Sequence, residues 1–311
     1  MAKSRITIVG LGFIGGSIGL ALQRSKEEFE VIGHDKEYSV AGRARKMGAV
    51  DEIHWNLISA CEGADLIILA IPVMAIKETL KAIAPSLKPG CLVTDTASIK
   101  EPVMEWAEEF LPESVSFVGG DPIVSAGTEA TGLEAAAPDI FQNALYCLTP
   151  SSNVDPKAVQ LATDLVSLLG AQPYFLDPVE HDGLMAGIAH LPFILSAALL
   201  RATTHASSWR EMEKLAGRAF AVGTHFASSD PDTYRDACLL NGENIVHWID
   251  AYREELGKLR EIIASKDGEE LGKVFEEALM ARQRWLKGRE GDEPAPKSSL
   301  IGQLFGLGRR R

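Results

Sequence analysis

Short apolar runs alternate with longer stretches of helical periodicity from the start of the chain to about Leu176, which predicts βαβ units around a mostly parallel sheet. The predicted strands are Arg5 to Val9, Glu30 to Gly33, Leu66 to Ala70, Leu92 to Thr94, Ser116 to Val118, Ala144 to Leu148 and Pro173 to Leu176. Leu66-Ile67-Ile68-Leu69-Ala70 is apolar without alternation. Such a run fits a central strand covered by helices on both faces, hence a doubly wound sheet. After Asp177-Pro178 the pattern changes to helical periodicity with no β-run. The expected organisation is an α/β unit over residues 1–176, an all-α unit over 177–288 and a flexible tail over 289–311.

The first helix of the second unit should begin near Val179 to Asp182, and Pro192 inside it predicts a kink or a break. Ser229-Asp230-Pro231-Asp232 reads as a helix start, a capping residue before an early proline. His190, Pro192 and Arg201 interrupt the longest apolar segment, so no stretch is expected to reach the roughly 20 residues of a membrane helix. Met1 to Arg5 lead straight into the first strand without an apolar leader, so a cytoplasmic protein is expected.

The net charge of -12 argues against a nucleic-acid surface, which needs a basic patch. An anionic small molecule stays compatible with it if a few basic residues converge. The four cysteines, Cys61, Cys91, Cys147 and Cys238, form no C-x-x-C pair and suggest neither a metal site nor a disulfide framework.

Gly10-Leu11-Gly12-Phe13-Ile14-Gly15 follows the first strand and opens a helix, which is the strand-loop-helix context of the dinucleotide motif G-x-G-x-x-G. Gly10 would permit the tight turn, Gly12 the approach of a pyrophosphate, and Gly15 close packing of helix on sheet. The helix N-terminus would offer free N–H groups to the phosphates. Asp35 ends the second strand about twenty residues later, where a carboxylate binds ribose hydroxyls and repels a 2′-phosphate. The expectation is a Rossmann-type domain that takes NAD in preference to NADP. Lys36 and Arg43 nearby weaken that preference.

Six motifs occur in order: Val9 to Ser17, Asp95-Thr96-Ala97-Ser98-Ile99-Lys100, Gly119-Gly120-Asp121-Pro122, Glu180-His181-Asp182, His190-Leu191-Pro192 and Ser229-Asp230-Pro231. In this set the chain resembles the prephenate/arogenate (cyclohexadienyl) dehydrogenase family, from about Ile6 to Leu259. The resemblance implies NAD-dependent oxidative decarboxylation of a cyclohexadiene dicarboxylate to an aromatic product in tyrosine biosynthesis, by a homodimer joined through the helical unit. It places Ser98 beside nicotinamide and the substrate hydroxyl, and His190 near the substrate. Ser98 also fits a helix cap, and His190 also fits a packing residue. For His181 and Asp182, capping and bonding between the two units suffice, and no catalytic role is assigned to them.

Two positions depart from the family. Its catalytic histidine follows Gly-Gly and precedes proline, where this chain has Asp121. Asp121 would serve as the base only if buried, given an ordinary pKa of about 3.9. Two extra residues separate Pro122 from Ala126-Gly127-Thr128-Glu129. The family's substrate-binding arginine is replaced by Gly223-Thr224-His225-Phe226, so His225 becomes the candidate for a substrate carboxylate, charged only when protonated. Arg201 and Arg218 are nearby in sequence and carry no assignment. Two alternatives stay open: a related dehydrogenase for a 4-amino analogue, whose ammonium Asp121 would pair, and a nucleotide-binding regulatory protein without turnover.

Overall fold

The structure is a computed structural model that describes residues 3–25, 29–124, 131–151 and 153–290. The Ala126 to Glu129 stretch and the expected tail from 291 on lie outside the described residues. The first unit runs β1 (Ser4–Val9), α1 (Phe13–Arg24), β2 (Phe29–His34), α2 (Tyr38–Lys46), β3 (Glu52–Ile53), α3 (Leu57–Cys61), β4 (Leu66–Leu69), α4 (Val73–Ile83), β5 (Leu92–Asp95), α5 (Glu101–Phe110), β6 (Ser116–Ile123), β7 (Leu145–Pro150), α6 (Pro156–Leu168) and β8 (Gln172–Phe175). The helical unit follows with α7 (Pro178–Met185), α8 (Leu191–Thr204), α9 (Trp209–Leu215), α10 (Arg218–Gly223), α11 (Pro231–Leu240), α12 (Gly242–Ser265) and α13 (Gly268–Glu290).

The strands form one sheet in the order β3-β2-β1-β4-β5-β6-β7-β8. Every neighbouring pair is parallel except β6 with β7. Alternate residues of β4 feed opposite layers. Leu66 and Ile68 join Ile6, Ile8, Ile18 and Leu22 on one face, while Ile67 and Leu69 join Ile76, Leu80 and Val93 on the other. Each such aliphatic side chain contributes about 1.5–3 kcal/mol by leaving water, which is why a strand buried on both faces carries no polar alternation.

Two strands differ from the sequence reading. The two-residue β3 is too short to show a period. β6 continues past Val118 through Gly119-Gly120-Asp121-Pro122, residues that ordinarily discourage strands. The pairing explains this: β5 reaches only residues 116–118 of β6, whereas β7 pairs the whole segment, with Asp121 opposite Cys147. Pro122 therefore sits where the strand has one neighbour, as a proline in a sheet requires.

The kink or break expected at Pro192 takes the form of a change of helix type just before it, without a break in the helix. Met185 passes into a turn of π-helix, Ala186–His190, and then into α8, in which Pro192 occupies the first turn. The indole of Trp248 donates to the Gly183 carbonyl at 3.1 Å, and the Asn241 amide donates to the Asp182 carbonyl at 2.8 Å. These side chains of α12 and its N-terminal flank bond carbonyls just before the helix widens. The result corrects the expectation of an interrupted apolar segment. Pro178–Thr204 is one helix, long and apolar enough by length and composition to cross a membrane; its most apolar 18-residue window has a mean hydropathy of 1.9 and is 22% buried. As expected, Asp230 caps α11 by accepting from the Thr233 N–H at 3.1 Å, with Pro231 in its first turn.

Candidate active site

The glycine-rich loop, Asp35, Ser98 and Asp121 lie at the C-terminal ends of the parallel strands β1, β2, β5 and β6, the edge where open α/β sheets bind ligands. Sheet order reverses between β1 and β4, so the crevice opens beside Gly10. Gly10 has φ +89°, and a Cβ there would lie 2.2 Å from the Ala70 carbonyl oxygen. At Gly15 a Cβ would lie 1.9 Å from the Gly10 carbonyl oxygen. At Gly12, by contrast, a Cβ would meet nothing within 4 Å, so the backbone borders open space at the N-terminus of α1. One oxygen of Asp35 accepts from the Leu11 N–H and the other from the Glu37 N–H, each at 2.8 Å. Arg43 pairs with Glu134 at 3.1 Å, which draws its guanidinium away from service to a 2′-phosphate. A phosphate cradle with an aimed carboxylate fits a dinucleotide with a free ribose.

The Asp95 to Lys100 segment is tied to β6 by a buried ion pair. The Lys100 ammonium donates to the Asp95 carboxylate and, at 2.7 Å, to the Gly120 carbonyl. Asp95 also accepts from the Ala97 N–H at 2.9 Å and the Gly120 N–H at 3.1 Å. Both charged side chains are 0% exposed. This knot fixes the loop bearing Ser98 against the strand bearing Asp121. Gly119 and Gly120 are required there, since a Cβ on Gly120 would come within 2.6 Å of the Asp95 carbonyl oxygen.

Asp121 is buried, and its Oδ2 lies 3.2 Å from Nε2 of His181. Nδ1 of that ring lies 2.9 Å from Oδ1 of Asp182. Asp182 in turn accepts from the Lys100 N–H at 2.7 Å and the Glu101 N–H at 2.9 Å. It thus caps α5 from across the boundary between the two units. Burial opposes a charge on His181, but the hydrogen bonds to Asp121 and Asp182 outweigh it and push the ring pKa up to about 10. His190, delivered by the π turn, is also buried, and neither of its ring nitrogens has a hydrogen-bond partner among the described residues. Burial holds its pKa below the usual imidazole value. A neutral imidazole with unused donor and acceptor atoms is what a polar ligand requires of a wall.

The structure thus gathers Asp121 and His190 into one buried cluster with His181 and Asp182, and sets the partly exposed Ser98 on the adjoining loop. It places His225 on an exposed 3₁₀ turn, His225–Ser228, outside that cluster, and leaves Arg201 and Arg218 exposed. His181 was missed as a site residue because its motif also reads as a helix start. The sequence signal was the lone aspartate after Gly-Gly, a buried polar group that needs a hydrogen-bond partner.

A dinucleotide cradle, a buried acid–imidazole cluster at the same sheet edge and a helical unit closing over it define an oxidoreductase of the two-domain dehydrogenase class. Residues 18–175 match the family described as "Prephenate dehydrogenase, nucleotide-binding domain" and residues 177–277 match "Prephenate dehydrogenase, dimerization domain". The chain belongs to the prephenate dehydrogenase family. It is 34% identical to the prephenate dehydrogenase of Bacillus subtilis over 94% of this chain and 79% of the relative. It is 30% identical to the cyclohexadienyl dehydrogenase of Zymomonas mobilis over 89% and 94% respectively. The solved prephenate dehydrogenase from A. aeolicus, in complex with hydroxyphenyl propionate and NAD+, superposes with a TM-score of 0.85 at 28% identity, covering 91% of this chain and 99% of that one.

Proposed function

We propose that this protein oxidises prephenate or arogenate with NAD and releases carbon dioxide to leave an aromatic product. The observation that carries the reading is the buried Asp121 at the position of the family's base, beside His181 and in one cluster with His190. The cradle of Gly10, Gly12, Phe13, Ile14 and Gly15, with Asp35 for the ribose, would hold the dinucleotide. Nicotinamide, when bound, supplies the hydride acceptor.

The chain's own residues manage the proton. Ser98 orients the ring hydroxyl, and Asp121 accepts its proton as the carbon–oxygen bond becomes a carbonyl. Loss of carbon dioxide sends an electron pair through the ring to that oxygen, which then takes a proton back from Asp121. No proton need reach solvent between these events, so a buried base suffices. His190 hydrogen-bonds the substrate, and His225 is the candidate for a substrate carboxylate. Asp121 already lies 3.2 Å from the His181 ring, so it does not call for an ammonium on the substrate. A homodimer joined by the helical unit is supported by exposed Leu215, Val222, Leu239, Ile263 and Phe275, apolar surface that a second copy would cover.

The test is reduced-cofactor formation with NAD and either acid, for wild type and Asp121→Asn. Loss of a positioned base lowers turnover by about 10²- to 10⁴-fold. NAD binding without turnover of either acid by wild type would overturn the reading.

A further inference from the structure

His181 lies fully buried in the cluster. Each of its two ring nitrogens lies within hydrogen-bond distance of a carboxylate oxygen. Ionised carboxylates only accept, so two such neighbours require two donors on the ring. Asp182 is committed as an acceptor, because both its oxygens take backbone N–H groups at the start of α5. Only the proton between His181 and Asp121 has two possible homes, and its place decides whether Asp121 can act as a base.

We propose that His181 is a positioning residue for the proton acceptor, an imidazolium that keeps the buried Asp121 ionised and engages its Oδ2, leaving Oδ1 for the substrate hydroxyl. The inference rests on the reading of Asp121 as acceptor. It explains how an aspartate stands where the family has a histidine: the imidazole is retained one residue further out, and the carboxylate hands its effect to the substrate. The groups around the ring agree. Asp121 approaches from β6, Asp182 from the ring's own helix, the Cys147 thiol from β7, and His190 from the π turn, itself held neutral beside the charge on His181. Asp95 and Lys100 neutralise each other behind Gly120, and Glu101 stands beyond Asp182 at the start of α5. No other cation is in position to hold Asp121 ionised among the described residues that interact with it or with His181.

The first experiment is nitrogen NMR of histidine-labelled, ligand-free protein, which needs neither turnover nor a variant. Both ring nitrogens of His181 should be protonated at pH 8; one unprotonated nitrogen would overturn the inference alone. The second is the pH profile of kcat/KM for His181→Asn. Without the imidazolium the buried carboxylate loses the cation that engages it, so the variant should lose activity at the acid end of the profile relative to wild type. Parallel profiles for the two proteins would also overturn the proposal. Undiminished turnover in Asp121→Asn would instead sink the acceptor reading on which it rests, whatever the state of His181.

Discussion

Replacing Lys100 with methionine should be among the most damaging single changes outside the hydrophobic core. The substitution keeps the aliphatic stem but strands the Asp95 carboxylate, fully buried, without its cation. At an effective dielectric near 20, unit charges about 4 Å apart attract by about 4 kcal/mol. Removing one partner of a buried pair costs about 3–5 kcal/mol, and the abandoned Gly120 carbonyl adds about 1 kcal/mol or more. A loss of about 4–6 kcal/mol in urea unfolding followed by near-ultraviolet circular dichroism is expected. The double variant Asp95→Asn/Lys100→Met removes both charges, while the Ala97 and Gly120 N–H groups keep one acceptor between them. It should recover about half of the loss, a coupling of at least about 2 kcal/mol between positions in contact. Single and double variants that add within about 0.5 kcal/mol would refute the claim that this pair is one energetic unit.

Other outcomes follow from the same geometry. Gly15→Ala should destabilise the fold, because its Cβ would collide with the Gly10 carbonyl, whereas Gly12→Ala should fold normally and weaken NAD binding, as thermal shifts with and without NAD will show. Asp35→Asn should weaken NAD by about 10- to 100-fold, the equivalent of about 1.5–3 kcal/mol for a charged hydrogen bond, and raise the relative use of NADP, read by titrating each cofactor. The two histidines should bend stability oppositely with pH. The contribution of His181, whose folded pKa is raised, is full below its unfolded value near 6.5 and is lost as pH rises through about 10. The contribution of His190, whose folded pKa is lowered, is full above about 6.5 and is lost as pH falls below it. Alkaline destabilisation should therefore disappear in His181→Asn and persist in His190→Asn.

Most of the first unit was legible because its signals are local. The run Leu66 to Leu69 declares burial on both faces, and the spacing of Gly10, Gly12 and Gly15 declares a turn that only small residues fit. The end of β6 was not legible, since Gly119 to Pro122 discourage a strand locally and become one through pairing with β7, whose residues lie some distance along the chain. Pro192 announced a disturbance but not its form: the helix widens into a π turn just before it, and Trp248 and Asn241 bond the carbonyls that precede that turn.

The sequence alone determined the cofactor class, the change from sheet to helix near residue 176, and the anomaly at Asp121, each carried by residue types a few positions apart. Only the tertiary structure decided what surrounds Asp121. Its partner His181 is 60 residues away, and Asp182 reaches the start of α5 across 82 residues. Charge states in the site depend on burial and on partners brought together by folding, and neither quantity exists until the two units pack. The same aspartate in water would have no fixed partner, and here it lies 3.2 Å from a buried imidazole.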